Sequence, residues 1–212
     1  MKIKLLTSLF LAITFSTAIS QDQSEYHDEM EAFKKIEINS NEDIVIFTGS
    51  SSVRLWNSLG EDCGHLNVIN TGFGGSTMTD LLEFLEPTIL RFSPKEVYIY
   101  EGDNDIFRGH QEEDILGVAK KIVSVITRGN PDLKVHFIGA KPSPARWHYK
   151  DRYVRFNKML ADYCNSKPNL FFIDVWNPML NERGRPFPNI FISDSLHMNE
   201  KGYQLWTDLI CK

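Results

Sequence analysis

The sequence predicts an α/β fold, a three-layer α/β/α sandwich built on a five-stranded parallel sheet. Five short runs rich in Val, Ile, Phe and Tyr alternate with amphipathic helical patterns, which is typical of a parallel sheet covered by helices on both faces. No repeat, low-complexity tract or linker divides the 212 residues, and a hydrophobic content of 42% is enough to build a core without a structural metal. One globular domain therefore accounts for most of the chain.

Residues 1–20 are predicted to be a signal peptide. Lys2 and Lys4 precede an apolar run over residues 5–15, and Ala18-Ile19-Ser20 provides a small-x-small cleavage pattern. The run is too short to span a bilayer comfortably, and the alternatives to cleavage are a buried N-terminal helix or a retained anchor. We expect an exported bacterial protein, periplasmic or secreted, with no integral membrane segment once the signal is cleaved.

Residues 21–42 are predicted to form a helical extension, in which an amphipathic pattern covers residues 24–38. Residues 43–212 form the main domain. Its predicted strands cover residues 43–48, 66–70, 96–101, 134–139 and 170–175, and its clearest predicted helices cover residues 77–85, 113–127, 149–165 and 199–210. Continuous apolar runs of this kind suit strands buried on both faces. We therefore expect a doubly wound, flavodoxin-like sheet.

The charge and the cysteines exclude several classes of protein. After residue 20, 21 basic residues face 28 acidic ones, and no long basic run is present, so a nucleic acid partner is not expected. Histidine and cysteine spacings give no metal motif, and no metal site is predicted. Three cysteines, Cys63, Cys164 and Cys211, leave at least one thiol unpaired, and the sequence does not say whether the other two form a disulfide. The oligomeric state is equally open.

Polar and glycine-rich segments follow the first three predicted strands, where sites form in open parallel sheets. Gly49 permits a tight strand-to-helix turn, which can expose a serine hydroxyl above the sheet. The following serines, residues 50–52, can instead simply cap the helix.

Two further strand ends carry candidate hydrogen-bond donors. The segment 72–75 reads Gly-Phe-Gly-Gly, which leaves backbone N–H groups accessible to an oxyanion, although it can also be a plain turn. The phosphate-binding pattern Gly-x-x-x-x-Gly-Lys is absent. Asn104 supplies a neutral amide after the third strand, or an Asx-turn.

Asp194 precedes His197 by three residues, so the carboxylate can reach the imidazole within one turn of chain. Such a carboxylate fixes the tautomer of the ring and stabilises the imidazolium. An ordinary surface ion pair is the alternative. Taken in order along the chain, these four signals favour nucleophilic catalysis by a serine.

The chain resembles the SGNH, or GDSL-type, hydrolases, a family of esterases and lipases, from about residue 43 onward. The likeness rests on four ordered segments, Gly49-Ser50-Ser51-Ser52, Gly72-Phe73-Gly74-Gly75, Gly102-Asp103-Asn104-Asp105 and Asp194-Ser195-Leu196-His197, and extends to Tyr203. It is greatest to the branch of platelet-activating-factor acetylhydrolase-like and lysophospholipase-like proteins. One departure is that the common Gly-Asp-Ser reads Gly49-Ser50-Ser51 here, which leaves Ser52 as the reserve nucleophile.

The resemblance implies a Ser-His-Asp triad of Ser51, His197 and Asp194, and an acyl-enzyme intermediate. It also implies an oxyanion hole formed by the N–H groups of Ser51 and Gly75 and the side-chain amide of Asn104. No cofactor is implied.

The expected substrate is an ester with a small acyl group on a carbohydrate, or a lysophospholipid-type ester. Residues 141–149 follow the fourth predicted strand and should border the same mouth. Arg146 and Trp147 are therefore candidates for contacting a sugar or lipid head group, and Phe73 and Phe107 for lining an acyl pocket. These aromatic rings can equally belong to the core.

Two alternative functions share this sequence pattern. A non-catalytic glycan- or lipid-binding module would keep the fold and lose turnover, and an acyltransferase would pass the acyl group to a sugar instead of water. The intact candidate residues favour hydrolysis over the binding module.

Overall fold

The computed structural model describes residues 26–38 and 43–211. The predicted signal peptide lies outside these residues, so its cleavage and the export of the protein stay predictions. The chain divides into two compact units, Met1–Glu37 and Ile38–Lys212. In the first unit, helix α1 spans His27–Lys34, which is shorter at both ends than the predicted pattern over residues 24–38.

The second unit contains the predicted five-stranded sheet. Its strands run β1 (Ile44–Gly49), β2 (Asn67–Gly72), β3 (Glu96–Tyr100), β4 (Lys134–Ile138) and β5 (Leu170–Ile173). Every pairing is parallel, and the order is β2-β1-β3-β4-β5. This is the doubly wound, flavodoxin-like order, so the predicted fold class is confirmed.

The helices of this unit are α2 (Ser51–Arg54), α3 (Leu59–Asp62), α4 (Met78–Glu83), α5 (Leu85–Thr88), α6 (Asp103–Phe107), α7 (Glu112–Ile126), α8 (Lys150–Asn165) and α9 (Glu200–Ile210). Short 3₁₀ helices span Leu90–Phe92, Trp147–Tyr149, Asn177–Met179 and Pro188–Ile190. The single helix predicted over residues 77–85 is divided into α4 and α5 at Phe84, whose backbone departs from helical geometry. No helix among the described residues is long and apolar enough to cross a membrane.

A row of stacked rings fixes the register of four strands. Phe47, Tyr98, His136 and Phe171 are direct partners on β1, β3, β4 and β5. Their ring centroids lie 4.3, 4.2 and 4.7 Å apart from one strand to the next. Each such contact adds about 0.5–1.5 kcal/mol beyond the burial of area. A slip of one residue would turn these rings to the opposite face of the sheet, so the row holds the strand ends in line.

One disulfide closes the domain. Cys63, after α3, is bonded to Cys211, after α9, with the two Cα atoms 5.0 Å apart and a separation of 148 positions in sequence. Cys164 is a buried free thiol. Cys211 lies near the end of the chain, so the bond joins the last helix to the region before β2 and stabilises the fold by restricting the unfolded chain.

Candidate active site

The turn after β1 presents Ser51 at the carboxyl edge of the sheet. Gly49 has φ +123°, and a Cβ atom there would lie 2.1 Å from the carbonyl oxygen of Tyr100, so only glycine fits. Ser50 donates its N–H to the same carbonyl at 3.0 Å, and α2 begins at the next residue. The Ser50 hydroxyl makes no capping bond. The turn therefore places the Ser51 hydroxyl at the start of a helix, as expected for an exposed nucleophile.

Three side chains distant in sequence form one hydrogen-bonded chain. Ser51 Oγ lies 2.9 Å from His197 Nε2, although 146 residues separate them. His197 Nδ1 lies 2.6 Å from Asp194 Oδ2. The structure therefore brings together the three predicted triad residues in the order that nucleophilic catalysis requires.

The Asp194 carboxylate is fixed on both oxygens. Its Oδ1 accepts the backbone N–H groups of Leu196 and His197, each at 2.9 Å, while Oδ2 contacts the imidazole. Partial burial works to raise the pKa of Asp194, but these hydrogen bonds prevail and lower it to about 2. Asp194 is therefore an anion throughout the neutral pH range and keeps the proton of His197 on Nδ1.

The loop carrying this pair is tied to its surroundings. Phe191 and Met198 form an antiparallel bridge that closes the loop, and Ser195 takes a left-handed conformation with φ +59°. The Ala145 N–H donates to the Ser195 carbonyl at 3.1 Å. The segment after β4 thus borders the catalytic loop, in line with the position expected from the sequence.

The three predicted oxyanion donors follow the carboxyl ends of three neighbouring strands, β1, β2 and β3. The Ser51 N–H is in the first turn of α2 and the Gly75 N–H is in a loop residue with φ +83°; neither donates to a protein acceptor within the described chain. Asn104, in the first turn of α6, is buried and donates Nδ2 to the Ser76 carbonyl at 2.9 Å. One Nδ2 hydrogen remains for an oxyanion, because an amide nitrogen carries two.

Arg146 was expected to contact the substrate, but the structure shows it bound to protein side chains. It is buried, its Nη1 pairs with Asp103, and its Nη2 donates to Asn104 Oδ1 at 3.0 Å. The Asp103 carboxylate forms the centre of this cluster and also contacts Lys141, Tyr100 and Tyr153. Arg146 thus orients the Asn104 amide, a positioning role that the sequence did not reveal.

The charged groups of this cluster shift one another's pKa values. Burial alone would raise the pKa of Asp103, but Lys141 and Arg146 lower it to about 2, so it is ionised. Burial lowers the pKa of Lys141, against the opposing effect of Asp103. Lys141 and Asp103 were not expected to be functional, although a lysine three residues after the apolar strand β4 is a signal that points to a buried charge.

Glu101 is a second residue whose role the sequence patterns did not indicate. It is almost fully buried at the end of β3; its Oε1 lies 2.6 Å from Ser76 Oγ, and its Oε2 has no partner. Ser76 Oγ is also 3.0 Å from the Phe73 carbonyl, to which its single proton can be donated. Burial, and then the nearby Asp105, raise the pKa of Glu101 well above its usual value. A neutral Glu101 that donates to Ser76 accounts for both contacts and holds the loop that contains Gly75.

A substitution of Glu101 tests this proton assignment. We expect Glu101→Gln to keep activity, because an amide can donate to Ser76 as the acid does, and Glu101→Ala to lose about tenfold in kcat. The free energy of unfolding should fall with pH in the wild type above about 4.5, the ordinary pKa of glutamate, because the unfolded state ionises first. Urea unfolding against pH checks this, and Glu101→Gln should remove that slope. If Glu101→Gln is as damaging as Glu101→Ala, Glu101 is instead a carboxylate.

The remaining candidate substrate residues lie in different environments. Phe73 is fully buried and packs edge-on against Phe84, so the structure assigns it to the core instead of an open acyl pocket. Phe107 is 52% exposed and lies 4.4 Å from the Arg146 guanidinium, at the edge of the site. Trp147 stacks on Trp176, with ring centroids 5.8 Å apart. Substrate contact by Phe107 and Trp147 stays a prediction.

No cluster of three or more metal-binding side chains occurs within residues 26–38 and 43–211. The groups that the structure brings together at the site are a serine hydroxyl, an imidazole, a carboxylate and hydrogen-bond donors. This combination can attack a carbonyl carbon and stabilise the resulting oxyanion.

Comparison with known proteins agrees with this chemistry. A sequence model of the GDSL-like lipase/acylhydrolase family matches residues 43–205. Platelet-activating factor acetylhydrolase IB subunit alpha1 from Bos taurus is 28% identical over 169 residues, which cover 75% of this chain and 69% of the relative. The human subunit is also 28% identical over 169 residues, with 75% and 70% covered.

Solved structures share the fold. A GDSL-like lipase from Bacteroides thetaiotaomicron superposes with a TM-score of 0.71 at 22% identity, covering 88% of this chain and 94% of its own. An acetylxylan esterase from Geobacillus stearothermophilus gives a TM-score of 0.63 at 18% identity, covering 82% and 94%. At these identities the likeness is one of architecture.

Proposed function

The chain belongs to the GDSL-like lipase/acylhydrolase family and is a carboxylic ester hydrolase, and we propose that it acts through Ser51, His197 and Asp194 by way of an acyl-enzyme. The observation that carries this proposal is the unbroken hydrogen-bonded chain from the Ser51 hydroxyl through the imidazole to Asp194.

Each of the three residues has a distinct role in the reaction. His197 Nε2 takes the Ser51 proton as Oγ attacks the ester carbonyl, and the imidazolium then passes that proton to the leaving alcohol oxygen. Water then attacks the acyl-enzyme as Nε2 takes one of its protons. The imidazolium returns this proton to Ser51 Oγ as the bond between Oγ and the acyl carbon breaks and the carboxylic acid departs. Asp194, already ionised, stabilises the imidazolium in both steps without taking the proton.

The oxyanion is stabilised by donors that are in place before the substrate binds. The N–H groups of Ser51 and Gly75 and the Asn104 amide donate to it, and each such donor contributes about 3–4 kcal/mol in the transition state. The Asn104 amide is held from both ends, by Arg146 at Oδ1 and by the Ser76 carbonyl at Nδ2. This fixed orientation avoids a reorganisation cost during the reaction.

The proposed substrate is an ester with a small acyl group, carried by a carbohydrate or by a lysophospholipid-type alcohol. The curated relatives are acetylhydrolases by name, which supports an acetyl-sized group. The burial of Phe73 in the core supports the same choice, since it leaves Phe107 as the one exposed ring of the two expected to line an acyl pocket.

Hydrolysis of p-nitrophenyl esters of increasing chain length tests this function, with a fluorophosphonate probe to label the nucleophile. We expect the highest kcat/KM on the acetate, and we expect Ser51→Ala to abolish both turnover and labelling. Ser50→Ala and Ser52→Ala are the matched controls and should keep the label. Labelling that survives in Ser51→Ala and disappears in Ser52→Ala would move the nucleophile by one position.

We also propose that the protein is exported after removal of residues 1–20. The Cys63–Cys211 disulfide supports this, because such bonds persist in oxidising compartments outside the cytoplasm. N-terminal sequencing of protein from its native host should find Gln21 first, and an intact Met1 on a cytoplasmic species would refute the proposal.

A further inference from the structure

Arg54 lies beside both the nucleophile and the oxyanion loop. It is the last residue of α2, three positions after Ser51, so the two side chains are neighbours on one turn of helix. Its guanidinium fills the space above the α-carbon of Gly74, since a Cβ atom there would lie 2.8 Å from Arg54 Nε and 3.1 Å from Nη2. Gly75, with the proposed oxyanion N–H, is the next residue.

The side chain of Arg54 faces solvent. Its side chain is exposed and, within the described part of the chain, forms no hydrogen bond or ion pair. Other arginines near the site are used differently, since Arg108 donates to the Gly75 carbonyl at 3.0 Å and Arg146 pairs with Asp103. The donors of Arg54 are therefore available to a ligand.

Two more cations lie beside Trp147, which follows Arg146 in sequence. The Arg185 guanidinium is 5.0 Å and the Lys150 ammonium 5.9 Å from the centre of the Trp147 ring. Neither cation forms an ion pair among the described residues. Both cations are exposed, and an exposed cation of this kind attracts an anionic group on a ligand.

We propose that the ester substrate carries an anionic group, a carboxylate or a phosphate, and that Arg54 binds this group next to the scissile ester. A guanidinium presents paired N–H groups that match the geometry of either anion. Because Arg54 lies next to Ser51, the anionic group and the ester that Ser51 attacks should be neighbouring groups in one small molecule. This inference rests on the proposed function and narrows its substrate class to acidic sugar esters or phosphate-bearing glycerol esters.

Two matched pairs of acetate esters test the proposal and distinguish the two anions. Acetylated galacturonate and acetylated galactose differ in a carboxylate, and acetylglycerol 3-phosphate and acetylglycerol differ in a phosphate. The measured quantity is the ratio of kcat/KM for the anionic ester to that for its neutral partner. We expect this ratio to be about ten or more in one pair, as for a charge-assisted contact, and that pair identifies the anion.

The variants place the preference on Arg54. Arg54→Gln should reduce the ratio to near one, mainly through KM, while Arg54→Lys should keep part of it because the charge remains. A ratio also cancels any general loss of activity that the substitution causes. Arg128→Gln, which removes an equally exposed arginine after α7, is the matched control and should leave the ratio unchanged.

Three results would overturn the proposal: equal rates within both pairs, a preference that survives Arg54→Gln, or hydrolysis of p-nitrophenyl acetate with none of the four esters cleaved. Failure of the proposed function has a different signature, in which p-nitrophenyl acetate is not hydrolysed and the fluorophosphonate does not label Ser51.

Discussion

Ser51→Ala and His197→Ala are each expected to lower kcat by about 10⁵- to 10⁶-fold. The two side chains lie 2.9 Å apart and share one proton transfer in the proposed mechanism, so the loss of either would remove the activated nucleophile. Members of such a triad act as a unit, and the double variant should be no slower than either single one. Steady-state hydrolysis of a soluble short-chain ester measures this effect.

Asp194→Asn should be less severe, with a loss of about 10⁴-fold in kcat. The histidine keeps its contact with Ser51 in this variant, but the anion that holds its tautomer is gone. His65→Ala is the matched control, because His65 is an exposed imidazole just before β2, at the opposite edge of the sheet, and should leave kcat unchanged. Full activity in His197→Ala would refute the triad and leave the spacing of Asp194 and His197 without a catalytic role.

Asn104→Ala is expected to lower kcat by about 10²- to 10³-fold with little change in KM. In the proposed mechanism the amide donates to charge that develops only in the transition state, so its loss should affect kcat more than substrate binding. The same short-chain ester measures both constants. A change confined to KM would contradict a role in the oxyanion hole.

Arg146→Lys separates positioning from charge. A lysine can still pair with Asp103, but it cannot also hold Asn104 Oδ1, because it lacks the two-pronged geometry of arginine. We expect about a tenfold loss in kcat, and no further loss when the same change is made in Asn104→Ala. Arg152→Lys is the matched control, since Arg152 pairs with the buried Glu112 and does not contact Asn104. Additive losses in the double variant would show that Arg146 acts on something other than Asn104.

Much of the fold and the order of the site followed from local patterns. The five apolar runs predicted strands within one or two residues of their observed bounds, because burial on both faces leaves a continuous hydrophobic signal. The pairing of Asp194 with His197 was equally readable, since three residues of chain hold both groups in one loop. Helices of four or five residues were harder to predict, because α3 and α6 span little more than one turn and a helical pattern is recognised only over about 11 or more residues.

The sequence by itself determined the fold class, the family and the residues that are candidates for the chemistry, because these depend on spacing along the chain. Only the tertiary structure decided that Arg146 turns inward to Asn104, that Phe73 belongs to the core, that Cys63 bonds Cys211, and that Glu101 holds Ser76. Three of these features are contacts between residues that lie 25 to 148 positions apart in sequence. The fourth depends on which side chain is buried in the core. A polar side chain takes its role from the partners that burial leaves within reach, and those partners are set only when the strands and helices pack.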